Sequence, residues 1–217
     1  DDSSMRADDL TLGTLLDADP KGGVFRFAGE RAVLLDTAAL GLLRRELVDT
    51  LSPAAARAVL YRFGWAHGFR TAQAMKGAFD WESDEEWIKA GGRLHRLKGL
   101  VTFRPVPRAA GEPPRHFAQA IWEESYEAEQ HLLHFGLADE PVCWTLTGFA
   151  GGYLSAAHGR RIRVVEESCV GKGDAVCRMA GEPEEEWDEA TRAAFPSLDE
   201  RCLEGELARV RDSLRAT

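Results

Sequence analysis

The sequence predicts an α+β domain in which helices pack on antiparallel strands. Three observations predict it. Short strand-like runs come in pairs joined by glycine-containing turns. Between the pairs, apolar residues recur at spacings of three and four. No strand–helix–strand rhythm of a parallel sheet links them. The 217 residues, 44% hydrophobic and 29% charged, suffice to bury a real core, and they contain no internal repeat or low-complexity tract.

The elements follow in order. Val24–Phe27 and Ala32–Leu35 read as a hairpin joined by Ala28–Gly29–Glu30–Arg31. Thr37 is the expected cap of a helix carrying Leu40, Leu43, Leu47 and Leu51. Ser52–Pro53 restarts it with a capping serine and a proline at the first helical position. Val59, Phe63, Ala66 and Phe69 continue one apolar face to about Gly77. Ser83 and Glu86 have capping-box spacing ahead of Trp87, Ala90, Leu94 and Leu97. Leu100–Val106 and His116–Trp122 read as strands around a loop, Pro107–Pro114. Tyr126–Phe135 reads as a helix stopped by Gly136. Cys143–His158 is apolar on nearly every face and rich in small residues, the pattern of a helix buried on all sides. Ile162–Cys169 and Ala175–Ala180 form a hairpin around Gly171–Asp174. An acidic segment follows Pro183, ending in a candidate helix with Leu203, Leu207, Val210 and Leu214.

Charge and composition exclude several function classes. The formal charge is −9, and it is uneven: Glu182–Thr217 holds 11 acids and 5 bases, a net −6, leaving −3 on the preceding 181 residues. No basic stripe of the kind that neutralises phosphates occurs, so direct nucleic-acid binding is not expected. No apolar run reaches the ~18 residues of a transmembrane span. The polar start Asp1–Arg6 lacks a signal-peptide pattern, so a cytoplasmic location is expected, where clustered cysteines more often hold metal than form disulfides.

Two constellations could carry chemistry. Cys143, Glu166, Cys169 and Cys177 include three residues on the arms of one hairpin. Three thiolates and a carboxylate would complete a closed tetrahedral zinc site of the structural kind. The same spacing allows buried cysteines acting as small hydrophobes, or a Cys169–Cys177 disulfide across the hairpin. Cys202 lies outside the set. His95 and Trp122 form the second. In one cavity, a neutral imidazole and an indole N–H would orient a small aromatic bearing one hydroxyl; apart, each is a core residue. His131, His134 and Glu127 share a helix face, which reads as surface or core. Glu182–Glu189 reads as a solvated linker. Gly171–Lys172 lacks the Walker A pattern, no HExxH occurs, and Ser155 and Ser168 lack an elbow glycine.

Several stretches are familiar: Gly92–Val101 (GRLHRLKGLV), Trp122–Glu129 (WEESYEAE), Pro141–Leu146 (PVCWTL), Gly148–Tyr153 (GFAGGY), Glu166–Cys169 (EESC), and Gly181–Pro183 with Trp187. In order and spacing they resemble the sensory domain of the phenol- and xylene-responsive transcriptional activators, the XylR/DmpR/MopR group. The resemblance covers roughly Gly22 to Trp187.

It implies a vinyl-reductase-type ligand-binding fold with a homodimerising N-terminal region. It implies a flexible stretch over 1–21, the dimerisation region over 22–80, the effector- and zinc-binding domain over 81–183, and an acidic linker over 184–217 leading to an ATPase that works with sigma-54 polymerase. It implies structural zinc on Cys143, Glu166, Cys169 and Cys177. It also implies an effector contacted by His95 and Trp122 and surrounded by Ile88, Ala120, Tyr153, Val164 and Phe149. Ala120, Val164 and Ile88 are smaller than the residues relatives often carry, which implies a roomier pocket. Retention of His95 implies a hydroxylated ligand. The expected activity is therefore sensing, with no reaction in this chain. The alternatives are a zinc hydrolase or thiol catalyst using Cys143 or Cys177, and a small-molecule carrier or assembly chaperone.

Overall fold

The computed structural model describes residues 4–107 and 111–198. The expected terminal helix with Leu203, Leu207, Val210 and Leu214, and Cys202, lie outside the described residues.

A 3-10 turn at Ala7–Asp9 leads into α1 (Leu12–Leu15) and β1 (Leu16–Ala18). β1 pairs antiparallel with β2 (Phe25–Phe27), which pairs with β3 (Glu30–Ala32). The hairpin turn is tighter than expected. Ala28 and Gly29 alone connect β2 to β3, with φ of 49° and 80°, the paired positive-φ geometry that matches strand twist. Residues 4–21, expected to be flexible, are tied down. Leu10 and Leu15 are buried, the Met5 N–H donates to the Asp80 carbonyl, and the Ala7 N–H donates to the Glu86 carboxylate at 2.8 Å. The last bond replaces half of the expected capping box. Ser83 accepts from the Glu86 N–H as its spacing suggests, but the Glu86 side chain turns to Ala7.

Helices α2 (Thr37–Thr50), α3 (Pro53–Ala78) and α4 (Asp84–Leu97) follow. Asp36, not Thr37, caps α2; its carboxylate accepts from the Ala39 N–H at 2.7 Å, and Thr37 is the first helical residue. Ser52 caps α3 with Pro53 at the first position, as the sequence indicates. Then come β4 (Thr102–Pro105), β5 (Ala118–Glu123), α5 (Tyr126–Phe135), α6 (Trp144–His158), β6 (Ile162–Ser168), β7 (Cys177–Pro183) and α7 (Glu189–Ala194). The strands start or stop a few residues from their expected limits. None of the helices among the described residues is long and apolar enough to cross a membrane.

β4 to β7 form one antiparallel sheet in the order β4-β5-β7-β6, so the sheet is antiparallel and helix-packed as expected. α6 lies between two apolar clusters, which accounts for its uniform hydrophobicity. Leu146 and Ala150 pack toward the sheet with Ala120, Trp122 and Val164. Phe149 and Tyr153 pack toward Leu10, Met75, Trp87 and Leu94 of the N-terminal segment, α3 and α4. Against α3 the contact is backbone to backbone. A Cβ on Gly64 or Gly68 would lie 2.2 and 2.0 Å from the carbonyl oxygens of Thr145 and Phe149. One on Gly148 or Gly152 would lie 2.2 and 2.0 Å from those of Tyr61 and Trp65. Glycines four apart on both helices therefore set the closeness of the crossing.

The acidic segment after β7 is not simply a solvated linker. Glu184 accepts from the Arg163 guanidinium at 2.7 Å, the Trp187 indole donates to the Arg163 carbonyl, and the same guanidinium donates to the Tyr61 hydroxyl and the Pro196 carbonyl. Glu182 accepts from the Phe117 N–H and meets His116 at 3.0 Å.

Candidate functional site

Residues directly opposite across antiparallel strands point to the same face. The register therefore places side chains in rows on the face of the sheet that meets α4 and α6. Phe103, Trp122 and Cys177 form one row across β4, β5 and β7. Pro105, Ala120, Met179 and Glu166 form the next across all four strands, and Ala118, Gly181 and Val164 the third. Above the β4/β5 side of this face is a cavity of about 450 Å³. His95, Trp122, Ile88, Ala120 and Tyr153 line it, together with Phe103 and Met179.

At its closed end the polar groups are few and unpaired. His95, 3% exposed, stands one helical turn after Gly91, and its Nδ1 lies 2.8 Å from the Gly91 carbonyl oxygen. A carbonyl can only accept, so Nδ1 carries the proton and Nε2 is left as an acceptor. Burial holds the imidazole neutral by pushing its pKa down to about 4. The Trp122 ring lies roughly parallel to the imidazole, centroids 5.9 Å apart. Neither His95 Nε2 nor Trp122 Nε1 has a hydrogen-bond partner, although both are buried. An unmatched acceptor beside an unmatched donor suits a group that can both donate and accept, which a hydroxyl does. A carboxylate only accepts and an ammonium only donates. Tyr153 supplies ring surface alone, because its hydroxyl donates to the Trp87 carbonyl at 2.8 Å.

Two of the expected lining residues lie elsewhere. Val164 sits on β6, beyond β7 from the cavity floor, where its short side chain packs near Gly181. Phe149 supports the site from behind. Its ring meets the His95 imidazole edge-on at 5.0 Å, and the His67 ring at the same distance on another side.

The second constellation is next to the first, since Cys177 is the register partner of Trp122. The ligand atoms of Cys143, Glu166, Cys169 and Cys177 all lie within 4.8 Å of one another. The Cys143–Cys177 and Cys169–Cys177 sulfur separations are 3.8 and 3.9 Å. A tetrahedron with metal–sulfur bonds of about 2.3 Å has sulfur–sulfur edges of about 3.8 Å. All three are free thiols, so the disulfide alternative is set aside.

The local backbone supports negative sulfur. The Val142 N–H donates to Cys169 Sγ and the Val170 N–H to Cys177 Sγ. Glu166 accepts from the Cys143 N–H at 3.0 Å while its other oxygen is buried without a partner. Burial pushes the Cys143 thiol up and raises the Glu166 carboxyl to about 8, whereas hydrogen bonds from the neighbouring thiols pull Cys169 down. Crowded acids of this kind call for a cation, and the four donors fit one metal ion.

An ion pair that sequence reasoning missed braces this centre. Arg44 of α2 donates to Glu127 of α5 at 2.9 Å, both side chains nearly inaccessible, and also to the Val142 carbonyl at 2.7 Å. Glu127 further accepts from the Thr145 and Leu146 N–H groups at the start of α6. Glu127 is therefore no surface residue; it fixes the turn that presents Cys143. The one sequence signal was an acid placed to face a helix N-terminus. His131 and His134 are not drawn into the metal centre.

A family model described as activator of aromatic catabolism matches residues 11–108, and a model of the vinyl-4-reductase-type domain matches residues 122–183. The crystal structure of the phenol-responsive sensory domain of the transcription activator PoxR, with phenol, superposes with a TM-score of 0.74 at 38% identity. The match covers 86% of this chain and 94% of that one. The chain belongs to this family of aromatic-catabolism activators. Among curated members, the phenol regulator MopR of Acinetobacter guillouiae is 34% identical over 79% of the chain. The transcriptional regulatory protein XylR of Pseudomonas putida is 34% identical over 86%. The chain spans about a third of the length of these activators, 31% and 34% respectively. His95 falls in the first matched segment and Trp122 in the second, so the cavity lies at the seam between the two.

Proposed function

We propose that the chain is the signal-sensing part of a transcriptional activator and binds a small hydroxylated aromatic between His95 and Trp122. The observation that carries this reading is the pair of buried, unmatched groups at the closed end of an apolar cavity, His95 Nε2 and Trp122 Nε1–H. The hydroxyl donates to the first and accepts from the second, while Phe103, Tyr153 and Ala120 enclose the ring. The PoxR sensory domain, described as phenol-responsive and solved with phenol, supports the ligand class.

The metal at Cys143, Glu166, Cys169 and Cys177 is zinc. Three sulfurs at tetrahedral spacing and one carboxylate suit its preferences and leave no open position, which favours a structural role over a catalytic one. Zinc would supply the counter-charge that lets these acids ionise together; the chain's own part is to hold the donors through β6, β7 and the Glu127-braced turn. No reaction occurs in the chain. Residues 22–80 contribute the homodimer contact, supported by exposed apolar side chains at Val33, Leu34, Leu35, Leu43 and Phe63. Residues 81–183 bind effector and metal, and the acidic segment from 184 connects to an ATPase module in a cytoplasmic regulator. The effector binds one arrangement of these parts better than another and thereby relieves repression.

Calorimetric titration of metal-loaded protein with phenol and with toluene tests the reading, alongside elemental analysis. Phenol should bind with one site per chain, at least about tenfold tighter than toluene, on protein carrying one zinc per chain. Equal affinities would overturn hydroxyl recognition.

A further inference from the structure

We infer that the cavity is built for a two-ring hydroxyarene, a phenol bearing a second aryl ring, with that ring lying over Ala120 and Ala118. The inference rests on the hydroxyl reading above and extends it to the size of the ligand.

Volume is the first argument. An apolar cavity of ~150 Å³ already holds a benzene, and this one measures about 450 Å³. Shape is the second. Ala118, Ala120 and Trp122 alternate onto one face of β5, and at ~3.3 Å per residue they make a floor ~13 Å long. The unmatched donor and acceptor are both at the Trp122 end, so a ring whose hydroxyl meets them leaves the alanine end bare. That stretch is apolar: Ala120 is fully buried between its register neighbours Pro105 and Met179, and Ile88 and Leu154 border the same space. The far end opens at Asp8 and Lys89, both at the surface. Chemistry is the third. Phe103 and Tyr153 contribute aromatic surface, which suits a second ring. A rigid biaryl also loses less conformational freedom on binding than an alkyl chain of similar size.

The specificity-determining residues are then Ala120 on the floor and Ile88 on the α4 wall. Titrating metal-loaded protein with phenol, the three phenylphenol isomers, biphenyl and 4-butylphenol reads the inference directly. At least one phenylphenol should bind about tenfold or more tighter than phenol, equivalent to about 1.4 kcal/mol, and tighter than 4-butylphenol. Ala120→Phe should cost that isomer about tenfold or more while leaving phenol nearly unchanged. Ile88→Phe, on a half-buried position that tolerates size, should act in the same direction if Ala120→Phe fails to fold. Phenol binding more tightly than every phenylphenol, while still outcompeting toluene, overturns the two-ring inference and leaves the hydroxyl reading intact. A tightest ligand of 4-butylphenol overturns it in the same way. Biphenyl binding as tightly as the best phenylphenol overturns the hydroxyl reading and this inference with it.

Discussion

Replacing His95 by Phe separates hydroxyl recognition from simple burial of a ring. The variant keeps the aromatic packing against Phe103 and Phe149. The Gly91 carbonyl does not become an orphan, because the helix's own N–H of residue 95 still reaches it. What disappears is the Nε2 acceptor. A phenol bound to the variant has a buried hydroxyl proton with no partner, which costs about 1–3 kcal/mol, or roughly 5- to 150-fold in affinity. Toluene has no hydroxyl to strand and should change little. The assay is calorimetry of both ligands on both proteins, and the quantity of interest is the phenol-to-toluene ratio. The same substitution has a pH signature. The folded His95 pKa is lowered to about 4 against about 6.5 in the unfolded chain. The unfolded state therefore takes up the proton first as pH falls. The stability that this residue leaves intact above pH 6.5 is lost progressively toward pH 4, on the order of 3 kcal/mol in all. His95→Phe should flatten that part of the curve, leaving what His67 and His131, lowered to about 4 chiefly by burial, contribute to it. Loss of phenol and toluene affinity by the same factor would refute the hydrogen-bonding argument, whatever the pH curve does.

Three further outcomes follow from the fold. Cys169→Ser, or prolonged chelation, should release the metal and lower the melting temperature steeply. Structural zinc contributes about 10 kcal/mol or more in small domains, comparable with a whole domain's stability; elemental analysis with thermal melts reads it. Arg44→Met should cost about 3–5 kcal/mol in urea unfolding, because it leaves Glu127 buried and unpaired, and Arg44→Met combined with Glu127→Leu should recover part of that loss. Gly68→Ala should destabilise by more than about 1 kcal/mol, since its Cβ would collide with the Phe149 carbonyl, whereas Gly77→Ala on the same helix meets nothing within 4 Å and should be neutral or stabilising by a few tenths of a kcal/mol.

What the sequence revealed and what it hid divide along the range of the interactions. Tyr126–Phe135 was readable to the residue, because a serine cap, a helical run and Gly136 are local signals. Glu166, Cys169 and Cys177 were readable as neighbours, because one hairpin brings them together. Cys143 was attached to them by family resemblance, and the structure shows why spacing alone leaves it open: its place depends on the Glu127–Arg44 pair, 83 residues apart in the chain. Gly148 and Gly152 were visible as small residues on a buried helix. Their match to Gly64 and Gly68 was not, because a helix crossing has no sequence period shared between its partners. Val164 shows the limit of carrying a position over from relatives. Its place in the chain is right, but a valine on β6 stops short of the β4/β5 floor.

The register of the sheet also bears on how a bound effector could be felt elsewhere. Trp122 is the residue of β5 that offers its N–H to the cavity, and its cross-strand partner on β7 is Cys177. Any displacement of Trp122 toward a ligand hydroxyl is thus transmitted across one strand pair to the metal centre, whose donors also belong to β6 and the start of α6. From the metal centre the continuous elements lead outward in two directions. Through Cys143, Glu127 and Arg44 they reach α2, part of the region proposed to carry the dimer contact. Along β6 they reach Arg163, which holds Glu184 and the Pro196 carbonyl of the following segment. His95 enters from the other side, on α4. A hydroxyl bridging His95 and Trp122 therefore joins a helix of the first family segment to the strand that begins the second. That placement lets one small hydrogen-bonding group bias how the two segments sit together, and it requires only that the two arrangements differ in whether both partners can be reached at once.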